Sequence, residues 1–520
     1  MSQNTLYYGD NLHILRGYVP DETVDLIYLD PPFNSSRNYN VLFKEANGTE
    51  APSQIRAFED SWTWDQKAVE TVDELTQIAP APLVNLLNAF LPFLGHSPMM
   101  AYSVMMAIRL VELRRVLKPT GSIYLHCDST ASHYLKLILD AVFAPRNFRN
   151  EIIWKRMTPS GFKGKKDIGA SHDVILRYTN SDTFTYNPIH RSYSEEYIST
   201  RFSKTDEDGR RFKDEKIGTA TSQETIQRLM RQGRIYTTST GRLRIKHFLE
   251  EAKGYPVDDV WTDIPPINSQ AAERLGYPTQ KPLALVERII KASSNEGDVV
   301  LDPFCGCGTT VDAAQHLGRR WIGIDITHIA ISLMRRRLRD RYGEGLKFDV
   351  IGEPQDEGSA RALADQDRGQ FQSWVLDQID ARPTQELKGA DRGIDGLIFF
   401  CDDGKNIRRA IVQVKSGHVG VSLIRDLVGT LRREKDENET APIAVFITLA
   451  QPTKPMIREA ASVGFYQHPL NSQRKFPRVQ ILTIRDLFDR KKPLLPHSAP
   501  LTYKKADVAP HRNTQQELGV

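Results

Sequence analysis

The sequence predicts an α/β fold built on a largely parallel sheet, and three observations predict it. Short apolar runs that end in an acid, VDLIYLD (24–30) and DVVLDPF (298–304), read as buried parallel strands whose C-terminal ends open onto a site. Stretches with helical spacing alternate with such runs, the order expected of strands joined by crossover helices. A turn containing Gly306 and Gly308 links one strand to a helix, as nucleotide-type sites require.

Taken in order, VDLIYLD is followed by PMMAYSVMMAIRLVELRRVL (98–117), a helix that Pro119, Thr120 and Gly121 end. A second strand, SIYLHCD (122–128), and a helix, ASHYLKLILDAVF (131–143), come next. The α/β pattern then lapses from residue 155 to about 260, where polar and basic residues and weak periodicity mark an insertion. It resumes with the helix PLALVERIIKASS (282–294), the strand 298–304, the helix TTVDAAQHLG (309–318), the strand RWIGIDI (320–326) and the helix HIAISLMRRRLRDRYG (328–343). The expected division is 1–154, 155–260 and 261–345, a polar linker over 346–370, a smaller α/β domain over 371–490 and a flexible tail over 491–520.

In the 520 residues, 40% hydrophobic and 26% charged content fits a globular protein with a sizeable core. No apolar run approaches the roughly 20 residues of a bilayer span, and MSQNTLYYGDN lacks a secretory pattern, so no membrane association and a cytoplasmic location are expected. Four cysteines, Cys127, Cys305, Cys307 and Cys401, are too few for a disulfide framework and lack zinc spacing. Net charge is only +4, yet residues 155–250 hold 19 Lys and Arg against 12 Asp and Glu. Aromatics interleave with this basic excess in RRFKDEK (210–216), RLMRQGRIY (228–236), GRLRIKHF (241–248) and, upstream, GFKGKK (161–166), as a nucleic-acid surface needs.

The chemistry concentrates in VLDPFCGCGTTVDAAQHLGRRWIGIDI. A strand ends at Asp302, Gly306 and Gly308 let backbone approach a ligand, and Asp325 ends the next strand, where its carboxylate can accept ribose hydroxyls. The turn lacks the third glycine of a dinucleotide fingerprint and any Gly-Lys-Ser/Thr, which disfavours NAD and ATP. Phe304 would pack beside the cofactor.

The series FxGxGT with a downstream acid resembles the cofactor motif of S-adenosylmethionine-dependent methyltransferases, and Asp30-Pro31-Pro32-Phe33 resembles their catalytic loop for amino groups. YYGDNLHIL (7–15), VDLIYLDPPFNS (24–35), LKPTGSIYLHCD (117–128), YPTQKPLALVERII (277–290) and LDPFCGCGTT (301–310) together resemble the beta-class adenine-N6 or cytosine-N4 DNA methyltransferases over roughly residues 5–345. The resemblance implies a Rossmann-like fold in permuted order, catalytic half first, with target recognition in the insertion, S-adenosyl-L-methionine as cofactor and double-stranded DNA as partner. It also implies that Asp10 approaches the cofactor adenine and that Thr279, Gln280, Lys281 and Pro282 line its methionine end, with Thr309 in the glycine turn.

An exocyclic amine is a poor nucleophile because its lone pair is delocalised, so acceptors must favour a more tetrahedral nitrogen. Asp30 and the Pro31 carbonyl supply two; Pro31 and Pro32 stiffen the loop, and Phe33 offers a ring for an extruded base. His126 and Asp128 end a neighbouring strand and are expected either to shape the base pocket or to pair with each other. The acidic first residue favours adenine, since cytosine-N4 enzymes more often begin this loop with serine.

Farther on, GADRGIDGLIFF (389–400) and AIVQVKSG (410–417) resemble the Mrr-like branch of PD-(D/E)xK nucleases, a restriction-endonuclease-like α/β fold. Asp395, Gln413 and Lys415 match that motif, with Glu386 a candidate helper, Mg2+ the expected ion and Lys415 the catalytic lysine. Glutamine in place of an acid weakens the expected metal site. A modification methylase fused to an endonuclease, a decayed nuclease fold kept for DNA binding, and methylation of RNA or of protein glutamine are the other readings. The permuted order and the basic insertion favour DNA; oligomeric state stays open, a homodimer among the options.

Overall fold

The computed structural model describes residues 3–32, 63–156, 169–218, 221–268, 271, 273–275, 277, 279–384, 393–402, 407–433 and 441–496. Among them nine strands form one sheet: β1 (Thr5–Tyr8), β2 (Val24–Leu29), β3 (Leu117–Cys127), β4 (Phe148–Lys155), β5 (His172–Thr179), β6 (Val260–Trp261), β7 (Val299–Asp302), β8 (Arg320–Asp325) and β9 (Asp349–Ile351). Their order is β6-β4-β5-β3-β2-β7-β8-β1-β9. The run from β3 to β9 is parallel throughout, and β5 is antiparallel to both β3 and β4.

Helices cover both faces, which is why β2 and β7 read as apolar runs instead of alternating. Helices Asn11–Tyr18, Ala81–Leu94, Pro98–Val116 and Ser132–Phe143 share one buried cluster with Ile27, Leu29, Leu125 and Leu301. On the other face Tyr124 Oη lies 2.7 Å from Ser293 Oγ, tying β3 to helix Leu283–Ser293. Helix Pro98–Val116 is buried on nearly every side, so apolar residues occur all round its first three turns; Ser97 caps it by accepting from Met100 N, with Pro98 in its first turn.

Several boundaries differ from those the sequence suggests. Pro119, Thr120 and Gly121 do not separate helix from strand, because β3 already begins at Leu117. Instead they form an irregular stretch where the register with β2 shifts; a Cβ on Gly121 would collide with the Leu117 side chain. Two further helices, Gln66–Ile78 and Ala81–Leu94, precede helix Pro98–Val116. The insertion is shorter than 155–260: β5, HDVILRYT, is an almost wholly buried strand of the main sheet, and the separate compact unit spans Tyr186–Asp259. That unit has a four-stranded antiparallel sheet of Lys204–Thr205, Arg211–Lys216, Leu243–Phe248 and Ile235–Thr237, and helices Glu195–Arg201 and Gln223–Arg231.

Residues 346–370 are folded and are not a linker. β9 pairs with β1, and helix Glu357–Gln366 leads into helix Arg368–Gln378. Beyond it, β10 (Arg382–Pro383), β11 (Gly396–Cys401), β12 (Ile407–Lys415), β13 (Ile443–Thr448) and β14 (Val479–Thr483) form a mixed sheet in chain order, antiparallel up to β12 and parallel after it. In the expected tail, Leu494 N still bonds Gln480 Oε1 at 2.8 Å, and residues 497–520 lie outside the described ones. Among the described residues no helix is long and apolar enough to cross a membrane.

Candidate active site

Adjacent strands β2 and β7 are parallel, but the chain proceeds from β2 to β3 on one side and from β7 to β8 on the other. Such a switch point leaves a crevice at the C-terminal strand ends. Here it is an open cleft of about 1340 Å³, counting its mouth, whose walls include Asp10, Asp30, Pro31, Pro32, Asp302 and Asp325. The loop Asp30-Pro31-Pro32 and the glycine turn, remote in sequence, thus face one space. Phe33 lies outside the described residues, as do GFKGKK (161–166) and Glu386.

The turn after β7 is set by backbone geometry. Gly308 adopts a left-handed conformation (φ 80°) just before helix Thr309–His316, and a Cβ there would fall 2.5 Å from Met334 Cγ. Gly306 is also left-handed (φ 53°), with Tyr277 packed 3.2 Å from where its Cβ would stand. Both glycines are therefore required by conformation and by close packing. From below, buried Arg337 donates to Cys307 O and Thr309 Oγ1 at 3.3 Å each while pairing with Asp312 at 2.8 Å. This ties helix His328–Tyr342 to the turn.

Asp302 accepts from Phe304 N (3.0 Å) and Thr310 Oγ1 (2.5 Å). Burial pushes its carboxyl up to about 7; those two hydrogen bonds oppose the rise and the charges of Asp30 and Asp325 add to it. Asp325 accepts from Thr327 N and Thr327 Oγ1 through one oxygen and from Gly306 N through the other, each at 2.8 Å. Burial raises it to about 6 against these donors. Phe304 is packed against the main core cluster.

Asp30 is held from the other half of the chain. Lys281 Nζ donates to Asp30 Oδ2, while Asp30 Oδ1 is buried without a hydrogen-bond partner among the described residues. The segment carrying Lys281 is built around Gln280, whose amide donates to Glu273 O (2.6 Å) and accepts from Leu275 N (2.8 Å). Thr279, Gln280 and Lys281 line the cleft, and Pro282 sits at the N-cap of helix Leu283–Ser293. Thr309 Oγ1 reaches Lys281 O at 3.4 Å.

Asp10 caps helix Asn11–Tyr18 by accepting from Leu12 N (2.9 Å) and pairs with Arg109 at 3.0 Å. Asn11 bridges Arg109 Nε (2.6 Å) to Pro303 O (2.8 Å). His126 and Asp128 do not pair. His126 is fully buried between Tyr28 Oη (2.9 Å) and Asp173 (3.3 Å), while Asp128 caps the next turn by accepting from Thr130 N and Ala131 N at 3.1 Å. Burial pushes Asp173 up, but the hydrogen bond and charge of His126, with Arg156 and Lys281, more than offset it and leave it below the usual range. Sequence reading missed Arg109, Asn11, Tyr28 and Asp173. Asn11 and Tyr28 lay inside quoted motifs, whereas Arg109 is the first charged residue of a helix whose preceding eleven residues carry no charge.

In the C-terminal sheet, Asp395 precedes β11, and its Oδ2 accepts from Val414 N at 2.6 Å, between Gln413 and Lys415 on β12. Gln413 Oε1 is buried without a hydrogen-bond partner among the described residues. The three residues therefore share one end of two neighbouring strands. Among the described residues no group of three or more His, Cys, Asp or Glu could hold a metal ion.

A family model described as DNA methylase, of the N6/N4 class, matches residues 24–335. Type II methyltransferase M.EcaI of Enterobacter cloacae is 28% identical over 358 residues, covering 64% of this chain and 69% of its own. DNA adenine methyltransferase YhdJ of Escherichia coli (strain K12) is 26% identical over 339 residues, 64% of this chain and 82% of its own. The crystal structure of a putative DNA modification methylase from Thermus thermophilus, complexed with S-adenosyl-L-methionine, aligns with 68% of this chain and 99% of its own at 17% identity and a TM-score of 0.33.

Proposed function

The chain belongs to the N6/N4 DNA methylase family, and from that premise we propose that it methylates the N6 amine of an extruded adenine in duplex DNA, with S-adenosylmethionine as donor. The observation that carries this reading is the state of Asp30: Lys281 fixes one carboxylate oxygen, and the other is buried beside the cleft without a partner among the described residues. A buried acceptor without a donor is costly, and an amine N–H is the donor that would satisfy it.

The cleft fits the cofactor. Its two left-handed glycines allow close backbone approach; Asp10 and Asp30 are paired with Arg109 and Lys281, and Asp302 and Asp325, held by neutral donors, favour a ligand carrying positive charge. When bound, S-adenosylmethionine supplies an activated methyl group on a sulfonium. Asp325 and Asp10 would hold the nucleoside end, and Thr279, Gln280 and Pro282 the methionine end. Asp30 Oδ1 and the Pro31 carbonyl accept the amine hydrogens, and Asp30 takes the proton the nitrogen sheds. Orientation and fixed dipoles provide the acceleration, with no covalent enzyme intermediate.

The acid that begins the loop favours adenine, and one relative is named a DNA adenine methyltransferase; cytosine N4 is the alternative. Another relative is named the Mod subunit of a type III restriction-modification enzyme, which supports a restriction-modification role; a cytoplasmic location beside the DNA is part of the same proposal. The test is to incubate the protein with duplex DNA and S-adenosylmethionine and to separate the nucleosides by mass. N6-methyladenine supports the proposal, N4-methylcytosine replaces it with the alternative, and neither overturns it.

A second reading concerns the C-terminal sheet. The placing of Asp395, Gln413 and Lys415 at one sheet end, with Gln413 Oε1 lacking a partner among the described residues, supports a nuclease-type phosphate site. Two oxygen donors, only one of them anionic, make a weak Mg2+ site, so DNA binding is favoured over cleavage there. Nicking of unmethylated DNA in Mg2+ that disappears with Lys415→Ala would establish cleavage.

A further inference from the structure

The unit Tyr186–Asp259 holds 14 Lys and Arg against 12 Asp and Glu, so its overall charge is too small to define a DNA surface. Five of its cations, Arg191, Lys204, Arg210, Arg234 and Arg244, pair with acids. Lys204 pairs with Asp214 at 2.8 Å, Arg234 with Glu251 at 2.7 Å and Arg210 with Asp206 at 3.2 Å, while Arg211 donates to Phe202 O and Ile198 O. Helix Gln223–Arg231 carries two of the cations outside these pairs on a single exposed face. Capped by Ser222, it turns half-buried Thr225, Ile226 and Leu229 inward and exposes Gln223, Glu224, Gln227, Arg228, Met230 and Arg231. At 100° per residue Gln227 and Arg231 fall near the middle of the exposed face, with Glu224 one turn before them at the N-terminal end and Arg228 at the flank. Arg228 and Arg231 have no acidic partner among the described residues, and the bond of Arg231 Nε to Gln227 O is at the 3.5 Å limit.

A solvated helix face is commonly rich in Glu and Lys. This one carries one Glu and one Met beside two Gln and two Arg; Gln pairs a donor with an acceptor, as the major-groove edge of adenine requires, and the paired donors of Arg match the acceptors of guanine. With its side chains an α-helix is about 10–12 Å across, which fits a groove about 12 Å wide. We propose that helix Gln223–Arg231 enters the major groove of the substrate duplex, with Gln227 and Arg231 on base edges and Arg228 on a phosphate. The proposal rests on the DNA-methylase reading and adds to it the element that selects the target.

The test uses the full chain on a randomised duplex library, with methylation read by sequencing and binding followed against salt. Gln227→Ala and Arg231→Ala should each relax preference at one or two base positions by about 5- to 100-fold. Arg228→Ala should weaken binding to all sequences alike and reduce the slope of log affinity against log salt by about 1. All three side chains are exposed, so the variants should melt with the parent. A triple variant with unchanged target preference and unchanged salt slope would overturn the proposal. Asp30→Asn separates the two ideas: it should keep sequence-selective binding and lose methylation. If the parent selects a sequence through this helix yet methylates nothing, the enzymatic reading fails and the helix assignment stands.

Discussion

Lys281 and Asp30, 251 residues apart, form an ion pair that joins the loop after β2 to the segment before helix Leu283–Ser293. Both side chains are largely shielded from water, so the pair holds one geometry and is only weakly screened. It explains how two parts of the chain separated by an insertion make one site.

The first prediction follows from that division of labour. Asp30→Asn should lower kcat by about 100-fold or more, with S-adenosylmethionine affinity changed less than about 3-fold, because the lost interaction is with the amine. Lys281→Ala should lower kcat by about 10-fold, with partial rescue by Lys281→Arg. Steady-state kinetics with calorimetry of cofactor binding separates these effects, and equal losses in both would speak for collapse of the cleft.

A second prediction concerns pH. Asp302 and Asp325 are raised to about 7 and about 6 by burial, so between pH 4 and 7 the folded protein binds more protons than the unfolded chain. Stability of the ligand-free protein should therefore fall as pH rises through that window and level off above it, by up to about 4 kcal/mol for a three-unit shift. Asp302→Asn should flatten this slope and melt higher than the parent at pH 8, while binding the cofactor more weakly. Thermal melts from pH 5 to 8 check it; parallel curves for parent and variant would count against the assignment.

Much of this site was legible because its parts are local. A strand, two glycines and an acid occupy a continuous stretch from Asp302 to Asp325, and backbone geometry demands those residue types. What was not legible depends on tertiary contact. Arg109 sits in a segment read only for its helical spacing, and its role needs Asp10 and Asn11 brought against it. Strand β5 hid in a stretch judged by composition, because the basic residues on either side outweighed eight residues of buried strand. The supposed linker is polar because it caps helices and lies at a sheet edge; Asp356 and Ser359 form a capping box that is readable in retrospect.

Gly308 gives a third prediction. Its left-handed φ and the 2.5 Å approach to Met334 Cγ leave no room for a methyl group, so Gly308→Ala should destabilise the protein by about 1–3 kcal/mol and weaken cofactor binding. Gly345, with nothing near its Cβ position and no positive φ, is the control. Equal melting temperatures for the two variants would mean that the turn can rearrange.

The last prediction tests whether the C-terminal sheet is fastened to the cofactor-binding half. Asp377, on helix Arg368–Gln378, pairs with Arg335 at 3.2 Å and Arg336 at 3.0 Å on helix His328–Tyr342, and Gln370 Oε1 accepts from His328 N at 2.9 Å, three residues beyond Asp325. Burial pushes the Asp377 carboxyl up, but the charges of His328, Arg335 and Arg336 prevail and leave it below the usual range. Its contribution to stability is therefore present above the unfolded value near 4 and is lost as pH falls through the lower folded one. Asp377→Ala removes two charge-assisted contacts but leaves Arg335 on Glu353 and Arg336 beside Asp380, so it should cost about 1–2 kcal/mol. Hydrogen exchange should then quicken across residues 368–378 and at the start of helix His328–Tyr342 together. If it quickens in only one of the two helices, the contact is a surface pairing and the C-terminal sheet is free to move independently of the cofactor turn.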